Sequence, residues 1–391
     1  MQGQTPRTSA TRPAVLVVAH RIDREGQGME RLHARLAESL SVAYDIHVLV
    51  GAIDEETARF VTVHKVPLIE RPIPLRFMMF ALFASLRLFV LKNKVDLVHS
   101  CGAIVFNRVD LVSLHLCQAA LIHANGGRRM PRSGSLLRRV NTGLLKTMAL
   151  SLERHAFAPK RRTTAAAVSE QGLEEVATWY PRSPRVLTEN GVDGQDFGPN
   201  MARREEVRTA LGIDADTFLI LQVGGDWTLR GVDLAIRALE TLPGTAKLCI
   251  VGRGDRPRMH RLACELGVDD RVMFLGARHD VADLYRGADV LVQLSAYETF
   301  SLVLVEAALS ELPLVTTAVG VAMSLCGDNE SGGLVVDRSA TAVAAGLQTV
   351  MEQRVDTRRR VEMALERAQR FTLVHLATQL DSVYRELLVA S

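Results

Sequence analysis

The sequence of 391 residues is long enough for two domains of about 100–200 residues, each with its own core. An apolar share of 48% and a charged share of 23% are ordinary for a soluble globular protein, and a net charge of +3 is too small to indicate binding to nucleic acid. The five cysteines form no C-x-x-C pair and no metal-ligand spacing, so we interpret them as buried thiols in a reducing compartment. Residues 1–13 are polar and basic, which predicts a disordered lead-in and not a secretory signal.

The first half of the chain alternates short β-branched runs with helical stretches. The predicted strands are residues 15–20, 46–51, 96–101, 111–117 and 163–169, and the predicted helices include 29–41 and 75–91. Residues 77–91 are apolar enough to be mistaken for a membrane span. A span needs about 20 residues, however, and Arg87 interrupts this run, so we predict a buried or surface-lying helix.

The second half repeats the alternation of strands and helices. The predicted strands are 218–225, 246–252, 271–276, 290–295 and 314–317, and the helices are 232–242, 256–266, 281–286, 301–311 and those from 339 onward. Residues 190–216, rich in glycine, aspartate and charge, are predicted to be a linker. The pattern predicts two doubly wound α/β units in tandem, which bind ligands at the carboxyl ends of their strands.

Two glutamates, Glu298 and Glu306, follow a predicted strand with seven residues between them. We expect Thr299 or Ser301 to cap the next helix, whose first N–H groups would form an anion site for a diphosphate. Glu306 has only apolar neighbours along the chain and needs hydrogen-bonding partners. Either ribose hydroxyls or a partner inside the core would supply them.

Three weaker patterns lie at the ends of other predicted strands. Residues 224–231 form a glycine-rich turn in which Arg230 either clamps a diphosphate or is simply solvated. Gly26 and Gly28 let the backbone approach a ligand, but no G-x-G-x-x-G pattern supports a nicotinamide cofactor. His115, near the end of a predicted strand, faces the ligand edge or lies in the core.

Several stretches together resemble the retaining GT-B glycosyltransferases, a family that includes phosphatidylinositol mannosyltransferases, sucrose synthases and lipopolysaccharide-core α-glucosyltransferases. They are ENGVD, LQVGGDWTLRGVDLAIRAL, VGRGD and VMFLGARHDVADLYRGADVLVQLSAYETFSLVLVEAALSELPLVTT. The resemblance runs from about residue 15 to the C-terminus and is tightest over 218–336. It implies two Rossmann-like doubly wound parallel-sheet domains facing a central cleft. Residues 14–195 would bind the acceptor, 196–372 the nucleotide-sugar, and 373–391 would form a helix packing back on the N-terminal domain.

The resemblance also implies roles for individual residues. Three would take part in transfer, near the reacting sugar or the leaving diphosphate: His115, Glu298 and Arg230. The remaining donor-binding positions would hold the phosphates, the ribose or the base: Gly26, Gly28, Gly225, Arg253, Ala277, Arg278, Phe300, Ser301, Leu302 and Glu306. Gly225 is a departure, because the family commonly has an arginine there, and this puts phosphate affinity or donor choice in doubt.

The implied reaction is retaining, metal-independent transfer of a hexose, with a UDP-sugar favoured as donor. The nucleotide-sugar is a substrate, no metal or other cofactor is required, and the acceptor hydroxyl attacks on the front face. Asp214 and Asp216 match a D-x-D metal motif but fall in the predicted linker, so no metal site is predicted. Two alternatives remain open: a nucleotide-sugar epimerase on the same scaffold, and an inactive nucleotide-sugar-binding homologue.

Residues 121–162 carry ten basic residues and a single acid, Glu153, with apolar residues between them. This pattern predicts a surface for an anionic membrane or a phosphorylated acceptor, or else a solvated helix face. The candidate surface residues are Arg128, Arg129, Arg132, Arg138 and Arg139. A glycan or lipid-linked cell-envelope acceptor is therefore expected. The expected location is cytoplasmic, with peripheral attachment at the inner face of the membrane, and nucleic acid is not an expected partner.

Overall fold

The computed structural model describes residues 12–390 except 27, 70, 125, 128, 130–135 and 329, and it leaves the side chain of Arg138 undescribed. The chain divides into two units. Unit 1 comprises the residues up to Val168, Gly172–Thr188 and those from Ala377 onward, and unit 2 comprises Ser169–Gln171 and Glu189–Leu376. The expectation for residues 1–13 lies outside the described residues, except for its last two positions.

Unit 1 is built on a seven-stranded parallel sheet with the strand order β3-β2-β1-β4-β5-β6-β7. The strands are β1 Ala14–Ile22, β2 Asp45–Ile53, β3 Thr62–Lys65, β4 Leu97–Ser100, β5 Leu111–Leu114, β6 Thr164–Ala167 and β7 Arg185–Leu187. Helices cover both faces, so the central strands β4 and β5 are buried along their whole length.

Among the described residues, six α-helices lie wholly or mostly in unit 1. They are α1 Met29–Leu40, α2 Ile73–Leu91, α3 Gln118–Ala124, α4 Leu136–Ala156, α5 Glu170–Trp179 and the last helix of the chain, α14 Leu373–Ala390. Two of them, α5 and α14, have their first residues in unit 2. The core forms where Phe80, Ala84 and Leu88 of α2 pack with Leu16 and Val18 of β1.

Unit 2 is built on a six-stranded parallel sheet with the order β10-β9-β8-β11-β12-β13. The strands are β8 Phe218–Val223, β9 Ala246–Val251, β10 Val272–Gly276, β11 Val290–Gln293, β12 Leu314–Thr316 and β13 Leu334–Val335. The helices are α6 Met201–Ala210, α7 Val232–Ala238, α8 Arg256–Glu265, α9 Val281–Gly287, α10 Leu302–Leu309, α11 Ala322–Cys326, α12 Ala340–Glu352 and α13 Arg354–Ala368.

The segment 190–216 is more than the predicted linker, because it contains α6, which packs on α9 within unit 2. Arginines make this packing possible. Arg208 is buried and donates to Asp289 Oδ2 at 3.1 Å and to the Thr217 carbonyl at 2.6 Å. Arg204 also pairs with Asp289. A polar, charged sequence thus forms an ordered helix because two of its arginines pair with Asp289, which lies between α9 and β11.

The cysteines are less uniform than predicted. Cys117, Cys249 and Cys326 are buried, whereas Cys101 is half-buried and Cys264 is exposed. The exposed thiol lies one turn from His260 on α8, with Sγ 3.1 Å from Nδ1. Exposure there follows from the outward face of an amphipathic helix, which composition alone does not reveal.

Candidate active site

Polar side chains of unit 2 meet at the carboxyl ends of β8 and β11. Arg230, in the turn between β8 and α7, forms an ion pair with Glu298, in the turn between β11 and α10. Glu298 Oε1 also accepts hydrogen bonds from Ser295 Oγ and Gln293 Nε2, each at 3.1 Å. Arg230 Nη1 donates to Ser295 Oγ at 3.2 Å. The structure therefore brings two of the predicted site residues into one hydrogen-bonded cluster.

The cluster keeps unused hydrogen-bonding capacity. The side chain of Glu298 is 11% exposed. Within the part of the chain that the structure describes, Arg230 Nε, Gln293 Oε1 and Ser301 Oγ are buried and lack a hydrogen-bond partner. Buried polar atoms are normally paired, so these three favour a polar ligand in this place. Burial lowers the pKa of Arg230 and Asp226 partly offsets this, but an arginine remains charged at neutral pH.

The turn before α10 differs from the predicted cap. Ser301 occupies the N-cap position with φ of 78°, in the left-handed region, and its side chain makes no capping hydrogen bond. Thr299 does not occupy the cap position either. The Ser301 side chain therefore does not satisfy the first N–H groups of α10, at the turn that also carries Glu298 and Phe300. Helix N-termini of this kind attract anions.

Tertiary contacts hold this turn in its strained shape. The Phe300 carbonyl accepts from Val321 N at 2.7 Å, and the Thr299 carbonyl accepts from Ser169 Oγ at 2.5 Å. Gly320, at φ of 60°, lies so close that an added Cβ would be 2.4 Å from the Phe300 carbonyl oxygen. A serine keeps a left-handed backbone only where surrounding contacts compensate for the strain, and such positions often lie in functional sites.

Gly225 lies in a roomy position. An added Cβ would have its nearest neighbour, the Arg253 carbonyl oxygen, at 3.5 Å, which is ordinary van der Waals contact. Local packing therefore does not explain the absence of the arginine that the resemblance leads us to expect there. The adjacent Gly224, at φ of 141°, supplies the sharp turn.

Glu306 lies one turn and a half into α10 and is buried, with 7% of its surface exposed. Its Oε2 accepts a hydrogen bond from the Tyr285 hydroxyl on α9 at 2.8 Å. A partner inside the core thus exists, and a carboxylate can still accept further bonds through its other lone pairs. Glu306 thus has the core partner that the sequence analysis considered, and this contact leaves it able to accept a bond from a ribose hydroxyl as well.

Three predicted base-binding residues follow β9 and β10 at the same edge of the sheet. Arg253, Ala277 and Arg278 are exposed. Arg278 pairs with Asp280 at 2.5 Å, which raises the pKa of the arginine and lowers that of the aspartate.

His115 of unit 1 follows β5 and is joined to His33 of α1, Nε2 to Nε2, at 3.3 Å. Its Nδ1 is buried and has no hydrogen-bond partner among the described residues. Burial holds the pKa of His115 well below the ordinary 6.5 and lowers that of His33 to about 4, so both rings are neutral at pH 7. His115 can therefore act as a hydrogen-bonding group but not as a cation.

The glycine turn of unit 1 precedes α1, on which His33 lies. Gly28 is the N-cap residue, with φ of 32°. At Gly26 an added Cβ would lie 2.9 Å from the Asp23 carbonyl oxygen. The close approach of the turn to itself thus explains Gly26 without a ligand, and a ligand-binding role stays a prediction.

Comparisons with known proteins show what this part of the chain is similar to. Residues 203–367, which contain the Arg230–Glu298 cluster and α10, match the model of glycosyl transferases group 1. Residues 203–367 are thus similar to a group 1 glycosyltransferase domain. It is 32% identical over 234 residues to a D-inositol 3-phosphate glycosyltransferase of Corynebacterium aurimucosum, covering 55% of each chain. It is 32% identical over 178 residues to the lipopolysaccharide glucosyltransferase WaaG of Escherichia coli, covering 43% of this chain and 47% of WaaG. The chain thus spans about half the length of these curated relatives.

Solved structures extend the likeness to both units. The crystal structure of WaaG superposes with a TM-score of 0.78 and 22% identity, covering 94% of this chain and 99% of that one. Anabaena HepE in complex with UDP-glucose superposes with a TM-score of 0.73 and 19% identity, covering 95% and 99%. The predicted GT-B fold class is therefore confirmed.

The group 1 glycosyltransferase domain is preceded by the basic segment 121–162 of unit 1. Arg128 and Arg132 lie outside the described residues. Arg129 Nη1 donates to Thr147 Oγ1 of α4 at 3.4 Å, and Arg139 lies on α4. The one acid of the segment, Glu153, is buried, where it accepts from Gln118 N at 2.7 Å and Ala119 N at 3.1 Å at the start of α3.

The sequence analysis missed three residues that contact predicted site residues within their own units. Gln293 and Ser295 complete the hydrogen bonds of Glu298, and His33 contacts His115 in unit 1. A signal for the first two was present, since a glutamine that ends an apolar strand lies where parallel sheets bind ligands. No group of three or more possible metal ligands is found among the described residues.

Proposed function

We propose that this protein transfers a hexose from a nucleoside-diphosphate sugar, with a UDP-sugar favoured, to a cell-envelope, lipid-linked or glycan acceptor with retention of configuration. The observation that carries the proposal is the cluster of Arg230 and Glu298 beside the N-terminus of α10, with three unpartnered buried polar atoms around it. A diphosphate and a sugar both need hydrogen-bond donors and acceptors in such a place.

The roles of the residues follow from the charge that develops. When the anomeric C–O bond breaks, the electron pair leaves with the diphosphate and positive charge grows on the sugar. Arg230 and the N–H groups of residues 300–302 stabilise the leaving anion. Glu298 holds the hydroxyls of the transferred sugar. The acceptor oxygen then bonds to the anomeric carbon on the face that the diphosphate leaves, and a phosphate oxygen takes the acceptor proton.

The rest of the donor lies along the same edge of unit 2. Glu306 binds the ribose in addition to Tyr285, and Arg253, Ala277 and Arg278 surround the base. In unit 1, Gly26 and Gly28 face the phosphates and the neutral His115 hydrogen-bonds the reacting sugar through its free Nδ1. In this scheme the arginine and the N–H groups carry the charge, so no step is assigned to a metal ion.

The acceptor side is proposed for residues 14–195, which precede the donor domain proposed for 196–372 and the helix proposed for 373–391. The named relatives support an envelope acceptor and a UDP-sugar. WaaG acts on lipopolysaccharide, and HepE was solved with UDP-glucose. The basic residues Arg129 and Arg139 would attract a phosphorylated acceptor. We further propose that the protein is cytoplasmic and attaches peripherally to the inner face of the membrane.

Ligand-dependent thermal stability tests the donor site. We expect UDP and a UDP-sugar to raise Tm at millimolar concentration, with smaller effects of GDP and ADP, and the same shifts with and without EDTA. The variant Arg230→Ala should lose most of the shift, whereas Arg237→Ala, on the outer part of α7, should keep it. If no nucleotide stabilises the protein, the proposal fails. Conversion of the donor sugar in the absence of any acceptor would instead indicate an epimerase.

A further inference from the structure

Helix α2 presents apolar side chains to water along one face. Six large apolar residues are exposed there, among them Leu86 at 60% and Phe89 at 65%. We call them the α2 stripe: Leu75, Met78, Leu82, Leu86, Phe89 and Val90. Most follow each other at spacings of three or four residues, which is the helical repeat. A surface helix normally shows polar residues on this face, so the stripe needs a partner.

The opposite face of α2 already has its partner. Phe80, Ala84 and Leu88 are fully buried against the sheet. Although α2 is the one helix in the described part of the chain with the length and composition of a membrane span, leaving the sheet to cross a bilayer would strip this core. The helix can therefore meet a bilayer only with its outer face, lying in the plane of the surface.

A second group of exposed apolar residues lies on α4, which packs against α2. It consists of Leu136, Leu137, Val140 and Leu144. The loop at Phe106 ties the two helices together, because Phe106 N donates to Ser85 Oγ of α2 at 2.8 Å and His155 of α4 bonds the Phe106 carbonyl at 2.9 Å. Unit 1 thus presents apolar groups from two neighbouring helices.

The charges carried by α2 and the residues just after it, up to residue 95, are of one sign. The segment 73–95 has no acidic residue, and Arg87, Lys92 and Lys94 are exposed. The single acid of α4, Glu153, is buried among hydrogen-bond donors. A second copy of this chain docked through the same face would bring like charges together, whereas anionic lipid headgroups above an acyl region match both the charge and the apolar stripe.

We propose that the α2 stripe inserts into the surface of an anionic lipid bilayer, with α2 parallel to the membrane plane and its lysines and arginine against the headgroups. The proposal extends the peripheral attachment given above by naming the helix that enters the lipid. It rests on the proposed function only in one respect, because a lipid-linked acceptor is the reason for the protein to be at a membrane. Unlike the basic segment alone, this surface combines an apolar anchor with charge.

Flotation of the full-length protein with vesicles tests the proposal. We expect binding to vesicles of phosphatidylcholine with phosphatidylglycerol and much weaker binding to phosphatidylcholine alone. The variant L82Q/L86Q/F89Q should bind at least about tenfold more weakly. The matched control M201Q/V355Q removes exposed apolar side chains of unit 2 and should bind like the wild type. The variant R87Q/K92Q/K94Q should lose most of the preference for anionic lipid.

Two further measurements keep the outcomes separate. Thermal unfolding and the Tm shift with UDP should be unchanged in L82Q/L86Q/F89Q, so a failure of the donor-site proposal cannot be confused with a failure of this one. Phe89→Trp should be quenched by brominated lipid in anionic vesicles. Equal vesicle binding by the wild type and the triple variant, or no quenching, would overturn the proposal. So would a dimer that the triple variant abolishes, which would make a second copy the partner.

Discussion

At the scale of single residues, Arg230 and Glu298 depend on each other. The side chain of Glu298 is 11% exposed, and without the guanidinium it would keep only the hydrogen bonds from Ser295 and Gln293. An unpaired buried carboxylate is costly, so we expect Arg230→Ala to lower the free energy of unfolding by about 1–3 kcal/mol. Equilibrium urea unfolding measures this.

The double variant R230A/E298Q separates stability from activity. Removing the charge of residue 298 as well should restore most of the lost stability, because no unpaired carboxylate remains. Sugar transfer should stay at least about 100-fold below that of the wild type in both variants, since the leaving diphosphate lacks its cation. A double variant as unstable as R230A would show that the pair is not coupled.

Gly225 offers a gain-of-function experiment. Because the nearest atom to an added Cβ is at 3.5 Å, an arginine fits there without displacing the backbone. We expect Gly225→Arg to tighten UDP binding about tenfold, which corresponds to about 1.4 kcal/mol. Gly225→Gln, a long uncharged side chain, is the control and should change affinity little. Calorimetric titration would contradict the prediction if both variants bind UDP equally.

Residue types at the site were predictable, but their conformations were not. The order Glu298, Ser301, Glu306 after an apolar strand indicated an anion site, and the structure adds that Glu298 pairs with Arg230. The side-chain cap was wrong, because a capping serine needs an extended backbone, whereas the contact with Gly320 accompanies φ of 78° at Ser301. Such long-range contacts leave no mark in local sequence.

At the scale of elements, the turn between β11 and α10 depends on a glycine almost twenty residues away. We expect Gly320→Ala to push Phe300 away and to rotate the first N–H groups of α10, since the new Cβ would lie 2.4 Å from the Phe300 carbonyl oxygen. UDP affinity should fall at least about tenfold, and Tm should fall as well.

The control for this substitution is Gly244→Ala in the same unit. No atom lies within 4 Å of a Cβ built there, so the control should retain both stability and UDP affinity. Fluorescence-monitored melting with and without UDP distinguishes the two variants. Normal UDP binding by Gly320→Ala would show that the turn tolerates the shift and that the N–H groups of α10 are not set by Gly320.

The long, strongly patterned elements could be predicted and the short ones could not. The ten predicted strands are all present, with ends that differ by at most three residues. The missed strands, β3, β7 and β13, have four, three and two residues, too few to show a period. Helix α6 was missed because its pairing with Asp289 is a tertiary contact.

At the scale of the whole molecule, unit 1 concentrates buried histidines. Burial lowers the pKa of His20 and His33 to about 4 and that of His99 to about 3, and it holds His115 well below 6.5. The unfolded chain takes up these protons near pH 6.5, so it binds more protons than the folded chain between pH 6.5 and about 4. The free energy of unfolding therefore falls as the pH falls through this window.

We expect unit 1 to lose stability first on acidification. Hydrogen exchange at pH 7.5 and 5.0, corrected for intrinsic rates, should show a selective loss of protection in β1, β4 and β5. In unit 2 the pKa values of Asp280 and Asp283 are lowered, so their effect on stability changes only when the pH falls below about 4. Unit 2 should therefore stay protected at pH 5.0. Equal loss in both units would contradict the assignment to the histidines.

Helix α14 has a consequence for how the chain acquires its structure during synthesis. Tyr384 is fully buried beneath His99, with its hydroxyl 2.7 Å from Nδ1, and the Tyr44 hydroxyl donates to Asp381 at 2.7 Å. These partners are separated by more than 280 residues, so unit 1 cannot close its core until the ribosome has finished unit 2. Unit 1 is thus translated first but completes its core last. Strand β4 must stay unaggregated in the nascent chain while residues 189–376 are translated.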